Sequence, residues 1–301
     1  MHNLLFKVAG VFFRVIFHPD TDGRPLLPSF PAFFVKEKNP VDLIFEMQVD
    51  TNPSESTIRG KELGQFDCGG ANHGVYVLEE GGYCIHISTP EGQLACILTT
   101  NADFSACRTQ LYGGKAQQQF GLNNALMIAF AFAGSHHGIL LMHASVPMLE
   151  GRAYLFLGKS GTGKSTHCKL WLQHIAETDL LNDDNPAVRA EEDGSIGVYG
   201  TPWSGKTPCY RSLRCEAGGF LRLEQYPENV LSRQTGVQAF ASVLSSCSTM
   251  LWDKPSYEAI CRTVEAVVRR VPVFYLKNLP NREAALMSYH ALTGHNDDKH
   301  A

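Results

Sequence analysis

The chain has 301 residues, enough for one large domain or two modest ones. Apolar residues make up 44% and charged residues 19%, an ordinary mixture for a globular protein with a substantial core. The net charge of −4 and the lack of any basic arm or run argue against nucleic acid as a partner.

The N-terminus superficially suggests a leader, because Val8 to Phe17 is rich in large apolar residues. Lys7 and Arg14 interrupt it and no small-residue cleavage site follows, so alternating strand positions at Val11, Phe13, Val15 and Phe17 are the better reading. No uninterrupted apolar run reaches membrane-spanning length. The 9 cysteines are scattered without a C-x-x-C pair, which points to reduced thiols and a cytoplasmic location rather than a zinc or disulfide framework.

Period-two patterns follow at Leu43, Phe45, Met47 and Val49 and again at Tyr83, Ile85 and Ile87. Turn signals at Asp22-Gly23, Gly69-Gly70, Gly81-Gly82 and Glu91-Gly92 separate these runs. Residues 1–120 are therefore expected to form a small β-rich N-terminal region. From there the character changes to α/β over 121–294. A helix is predicted over Asn123–Ala133, strands over Ile139–His143 and Ala153–Leu157, and a helix over Thr166–Ala176. Leu180-Leu181 form a short strand running into Asn182-Asp183-Asp184, and Gly219–Leu223 another. A helix over Ser256–Arg270 aligns Ile260, Val264, Val267 and Val271 on one stripe. Val273–Leu276 reads as a strand, and Arg282–Leu292 as a helix that Asn281 caps. The polar tail 295–301 is expected to be disordered.

The strongest motif is Gly158-Lys159-Ser160-Gly161-Thr162-Gly163-Lys164-Ser165, with Thr166 next at the head of the following helix. It is a G-x-x-x-x-G-K-[ST] loop between an apolar strand and a helix. Glycines let backbone N–H groups curl around phosphates, Lys164 offers charge to the β and γ groups, and Ser165 ligates Mg²⁺. The helix N-terminus adds its dipole. ATP and Mg²⁺ are the implied cofactors. Asp183 and Asp184 end an apolar strand one helix later, where one carboxylate can hold the metal and the other take the proton of an attacking hydroxyl.

These pieces resemble the HPr kinase/phosphorylase-related family, which shares a nucleotide-binding core with ATP-dependent phosphoenolpyruvate carboxykinase. The resemblance rests on His143 before the loop, on the G-x-S-G-x-G-K-S form of Gly158–Ser165, and on the Asp183-Asp184 pair. It covers roughly 135–210 well. Gly200-Thr201-Pro202-Trp203-Ser204-Gly205 is similar to a segment of uncharacterised HPr-kinase-related proteins. The resemblance implies a carboxykinase-like phosphate-loop core with a mixed sheet. It also implies Asp183 as catalytic base with His143 beside it, Ser165 and Asp184 as metal ligands, and Lys164 on the phosphates. HPr kinases form hexamers, so a homo-oligomer is a further implication. Val198 to Trp203 holds no carboxylate where HPr kinases carry an acidic ligand, which points to an HPr-kinase-like protein rather than a true HPr kinase.

Beyond the aspartates, Lys206 is the candidate cation for charge developing on the γ-phosphate. Trp203 suits stacking or half-buried packing equally, and Arg211 and Arg214 read as solvated surface charge. The expected activity is transfer of the γ-phosphoryl group of ATP to a hydroxyl of a protein serine or a small metabolite. A catalytically silent ATP-binding regulator and a carboxykinase-like lyase are the alternatives.

Overall fold

A computed structural model describes residues 2–36, 42–53, 60–68, 71–205 and 207–295. The chain divides into two units, Met1–His137 with Leu251–Ser256 and Gly138–Met250 with Tyr257–Ala301. Its architecture is mixed α/β, with a large mixed sheet in each unit.

The first unit contains strands β1 (His2–Val8), β2 (Val11–Phe17), β3 (Phe34–Val35), β4 (Leu43–Asp50), β5 (Gly60–Cys68), β6 (Ala71–Leu78), β7 (Tyr83–Ser88), β8 (Leu94–Thr100) and β9 (Ala106–Leu111). They run in the order β3-β1-β2-β4-β9-β8-β7-β6-β5. Ala9 and Gly10, both at positive φ, close the β1–β2 hairpin as a two-residue turn whose twist matches the strands. In β2 burial alternates strictly, so the period-two reading of Val11 to Phe17 holds. Helix α1 (Lys115–Ser135) lies on β4, β8 and β9 and is buried at nearly every position from Gly121 on. Because that apolar surface belongs to this sheet, α1 belongs to the first unit. The expected boundary at 120/121 cuts through the helix, and the observed one follows His137. Of the expected disordered tail, 296–301 lie outside the described residues, as does the Gly69-Gly70 turn.

The second unit contains β10 (Ile139–Leu141), β11 (Ala144–Leu149), β12 (Arg152–Leu157), β13 (Asp179–Asp184), β14 (Ala187–Ala190), β15 (Ile196–Tyr199), β16 (Arg214–Gln225), β17 (Val230–Gln234) and β18 (Val273–Asn278). The sheet order is β10-β14-β15-β16-β12-β11-β13, with β18 also on β16 and β17 on β18. Helix α2 (Lys164–His174) follows β12, and α3 (Gly236–Leu244), α4 (Lys254–Val268) and α5 (Arg282–Thr293) come later. One sheet face packs Leu155, Leu157 and Phe220 against Ala239 and Val243 of α3 and the Ile260, Val264 and Val267 stripe of α4. The other packs Phe156, Leu221 and Leu276 against Cys168 and Trp171 of α2 and Ala284, Ala285 and Leu292 of α5. Such a sheet, covered on both faces, explains the near-continuous apolar runs of β10 and β12.

Candidate functional site

Strand β11 organises the site. It runs antiparallel to both of its neighbours, so its first residues meet the last residues of both. Ala144 lies opposite Leu157 of β12 and Asp184 of β13, and Ser145 lies opposite Phe156 and Asp183. The glycine-loop strand and the aspartate strand therefore end side by side, one strand apart, although a whole helix separates them in sequence. The expected strand over Ile139–His143 stops at Leu141. Met142 makes an isolated bridge to Cys247, and His143 falls in the break between β10 and β11, its N–H donating to Ser246 O at 2.7 Å.

After β12 the chain turns through Gly158, Gly161 and Gly163 at φ of 147°, 81° and 97°. At Gly158 a Cβ would stand 2.5 Å from Thr162 Oγ1, so the tight curl of the loop needs glycine there. Thr162 Oγ1 closes the curl by donating to Lys159 O at 2.8 Å. Lys159, Ser160 and Gly161 are exposed, as are Ser165 and Thr166 on the first turn of α2. Lys164 is buried, its Nζ donating to Gly158 O at 3.0 Å and to Lys159 O at 3.2 Å. Burial lowers its pKa, and the charges of Asp184 and Asp183 oppose that shift. The ammonium thus senses both carboxylates from inside the loop.

The two aspartates have unlike surroundings. Asp183 is 4% exposed, and its Oδ1 accepts from Ser145 Oγ at 2.6 Å and from Ser165 Oγ at 2.9 Å. The two serine oxygens are 3.3 Å apart. Asp184 keeps 37% of its side chain exposed and pairs through Oδ1 with His143 Nε2 at 3.1 Å, while Asn185 Nδ2 donates to its Oδ2 at 2.9 Å. Its φ of 132° is strained for a residue with a Cβ, and strain of this kind is concentrated at functional positions. The resemblance implies His143 beside Asp183. In the structure the ring lies on Asp184, because the register of β11 with β13 sets Ala144, next to His143, opposite Asp184 and Ser145 opposite Asp183. Ser145 joins the site without any local motif to signal it. The one hint is its place two residues beyond His143, at the start of β11.

The segment after β15 straps the outer edge of β13. Asp183 O accepts from Gly205 N and from Ser204 Oγ, Leu181 O accepts from Cys209 Sγ, and Asn182 Nδ2 donates to Trp203 O at 3.2 Å. Trp203 is 2% exposed, so it packs the strap and offers no ring to a ligand. Arg211 forms a two-pronged pair with Asp179, and Arg214 bonds Glu216 and Ser195, at surface positions. Lys206 lies outside the described residues.

Among the described residues no group of three or more His, Cys, Asp or Glu side chains is placed to hold a metal alone. The oxygen set of Ser165, Asp183 and Asp184 suits a different arrangement. Mg²⁺ is commonly held by one or two protein oxygens together with substrate phosphates, and here the loop would present those phosphates. The donor chemistry and the glycine-dependent cradle at Gly158 both fit a phosphate-borne Mg²⁺.

Compared with known proteins, the chain matches no family model, and no curated protein matches it.

Proposed function

We propose that the second unit is an ATP-dependent kinase that transfers the γ-phosphoryl group to a hydroxyl acceptor, a serine side chain or a small hydroxylated metabolite. The supporting observation is the junction of loop and strand. The Ser165 hydroxyl at the head of α2 bonds the buried Asp183 carboxylate, and Asp184 with its histidine stands next to it.

Each residue has a distinct task in this reading. Lys164 exchanges the carbonyls of Gly158 and Lys159 for phosphate oxygens, and the N–H groups at the start of α2 take the rest. Ser165 and Asp183 would hold Mg²⁺, which when bound neutralises phosphate charge. With Ser165 donating its proton to Asp183, the lone pairs of its oxygen are left for that ion. Asp184 is better placed than Asp183 to take the acceptor's proton, reversing the roles implied by the resemblance. Two hydroxyl donors satisfy the inner oxygen of Asp183, whereas Asp184 reaches solvent, where an acceptor can approach. As the acceptor oxygen bonds the γ-phosphorus, its proton passes to the Asp184 carboxylate. The bond to the bridging oxygen breaks and ADP leaves with that electron pair. His143 holds Asp184 in place and shares its charge.

Incubation with γ-labelled ATP, Mg²⁺ and a panel of hydroxylated peptides and metabolites tests this. Label should reach an acceptor, Asp184→Asn should lower kcat by about 10²–10⁴ with ATP affinity nearly unchanged, and Asp183→Asn should weaken Mg²⁺-dependent nucleotide binding. Label that leaves ATP only as slow background phosphate across the panel would sink the kinase reading.

A further inference from the structure

The second unit also offers a place for the nucleoside end of a bound nucleotide. Strands β12, β16 and β18 run parallel, so their C-terminal ends share one edge. Ligands of α/β sheets gather at such ends. Gln225, the last residue of β16, donates from Nε2 to Gly161 O at 3.0 Å and ties this edge to the phosphate loop. The carboxylates of β13 lie on the opposite side of β12, across β11. A nucleotide whose γ-phosphate faces Asp184 must extend its nucleoside away from β13, toward β16 and β18.

Two independent features wait there. Tyr226, Val230 and Leu279 are 41%, 47% and 41% exposed, an apolar group at the tips of these strands, with Lys277 Nζ 4.7 Å from the centroid of the Tyr226 ring. Tyr226 N donates to Asn278 O at 3.2 Å, which fixes the tyrosine at the end of β18 as well. Asn278, opposite Gln225 in the sheet, is 8% exposed. Its Nδ2 bonds Leu279 O, while its Oδ1 is buried and accepts no hydrogen bond. A buried acceptor left unpaired is costly unless a donor arrives.

We infer that the ends of β16 and β18 form the base subsite, where the Tyr226 ring stacks on a purine and the Asn278 amide oxygen accepts from its exocyclic amino group. This rests on the phosphate-loop reading and adds the part of the nucleotide that the loop does not touch.

Isothermal titration of the full chain with Mg²⁺ and ATP, ITP or inorganic tripolyphosphate separates the two. Tyr226→Ala should raise the Kd for ATP about tenfold, as loss of one stacked base does, and leave tripolyphosphate binding unchanged, which also reports that the variant is folded. Tyr226→Phe should retain ATP affinity, and ITP, lacking the amino group, should bind the wild type several-fold more weakly than ATP. Unchanged ATP affinity in Tyr226→Ala, or equal weakening of ATP and tripolyphosphate, overturns the stacking role. Equal affinity for ATP and ITP overturns the role of Asn278. A wild type that binds tripolyphosphate as tightly as ATP keeps the loop reading and loses the subsite. One that binds neither loses both.

Discussion

His167, two residues beyond Ser165, ties helix α2 to the protonation state of its core. Ser288 Oγ donates to Ala285 O, so it must accept from Trp171 Nε1 and from His167 Nε2, each at 2.9 Å. The other ring nitrogen, Nδ1, is buried without a partner, and burial pushes the imidazole down to about 4. Protonation would place a charge there that nothing solvates. The folded pKa lies below the ordinary 6.5, so between these values the unfolded chain binds more protons than the folded one. Stability is therefore complete above pH 6.5 and falls as pH drops toward 4, by roughly 3 kcal/mol from this residue. Denaturant titrations at pH 7 and pH 4.5 should show wild type losing more stability on acidification than His167→Gln. Equal losses would refute the assignment.

At the level of elements, α5 shows what a local signal can specify. Asn281 Oδ1 accepts from Ala284 N at 2.9 Å, the cap expected from its position before Arg282. Asn281→Ala should cost about 1 kcal/mol, readable as a lower unfolding midpoint in denaturant, and Asn281→Asp should restore most of it. A midpoint unchanged in Asn281→Ala would deny the cap any energetic role. The glycine loop, α2, the Asp183-Asp184 strand end and the α4 stripe were legible for the same reason, since each is written in consecutive or helically spaced residues. What was hidden depends on partners distant in sequence. Ser145 matters because Ser165 and Asp183 arrive beside it, 20 and 38 residues away. The pairing of His143 with Asp184 is likewise set by the register of β11 with β13. Short β14, β15 and β17 lack a long alternating pattern, and α3 begins at a glycine without a side-chain cap, so neither announces itself. The boundary after His137 escaped notice because Ala125–Ala133 of α1 is apolar all round, and composition does not tell which sheet claims it.

For the molecule as a whole, the proposed function predicts that the stability of the second unit depends on nucleotide. ATP with Mg²⁺ at a hundred times its Kd should stabilise the folded state by about 2.7 kcal/mol. Hydrogen exchange should slow in peptides covering 157–166 and 179–185, and Lys164→Ala should abolish the effect. Exchange that is insensitive to nucleotide in the wild type would count against the site. Among the described residues no helix is long and apolar enough to cross a membrane.

The register shift between Val146 and Pro147 gives β11 a further property. A proline within a strand that is paired on both sides is tolerated at such an irregularity, where its missing N–H is not needed. The extra residue is Leu181 of β13, because Val146 faces Asn182 and Pro147 faces Leu180, whereas β11 keeps one register with β12 from Ala144–Leu157 to Leu149–Arg152. A one-residue insertion at Ala144 would turn Ser145 to the opposite face and away from Asp183. The fault in pairing is confined to the outer edge strand, while the glycine-loop strand and β11 keep a single frame along their whole length.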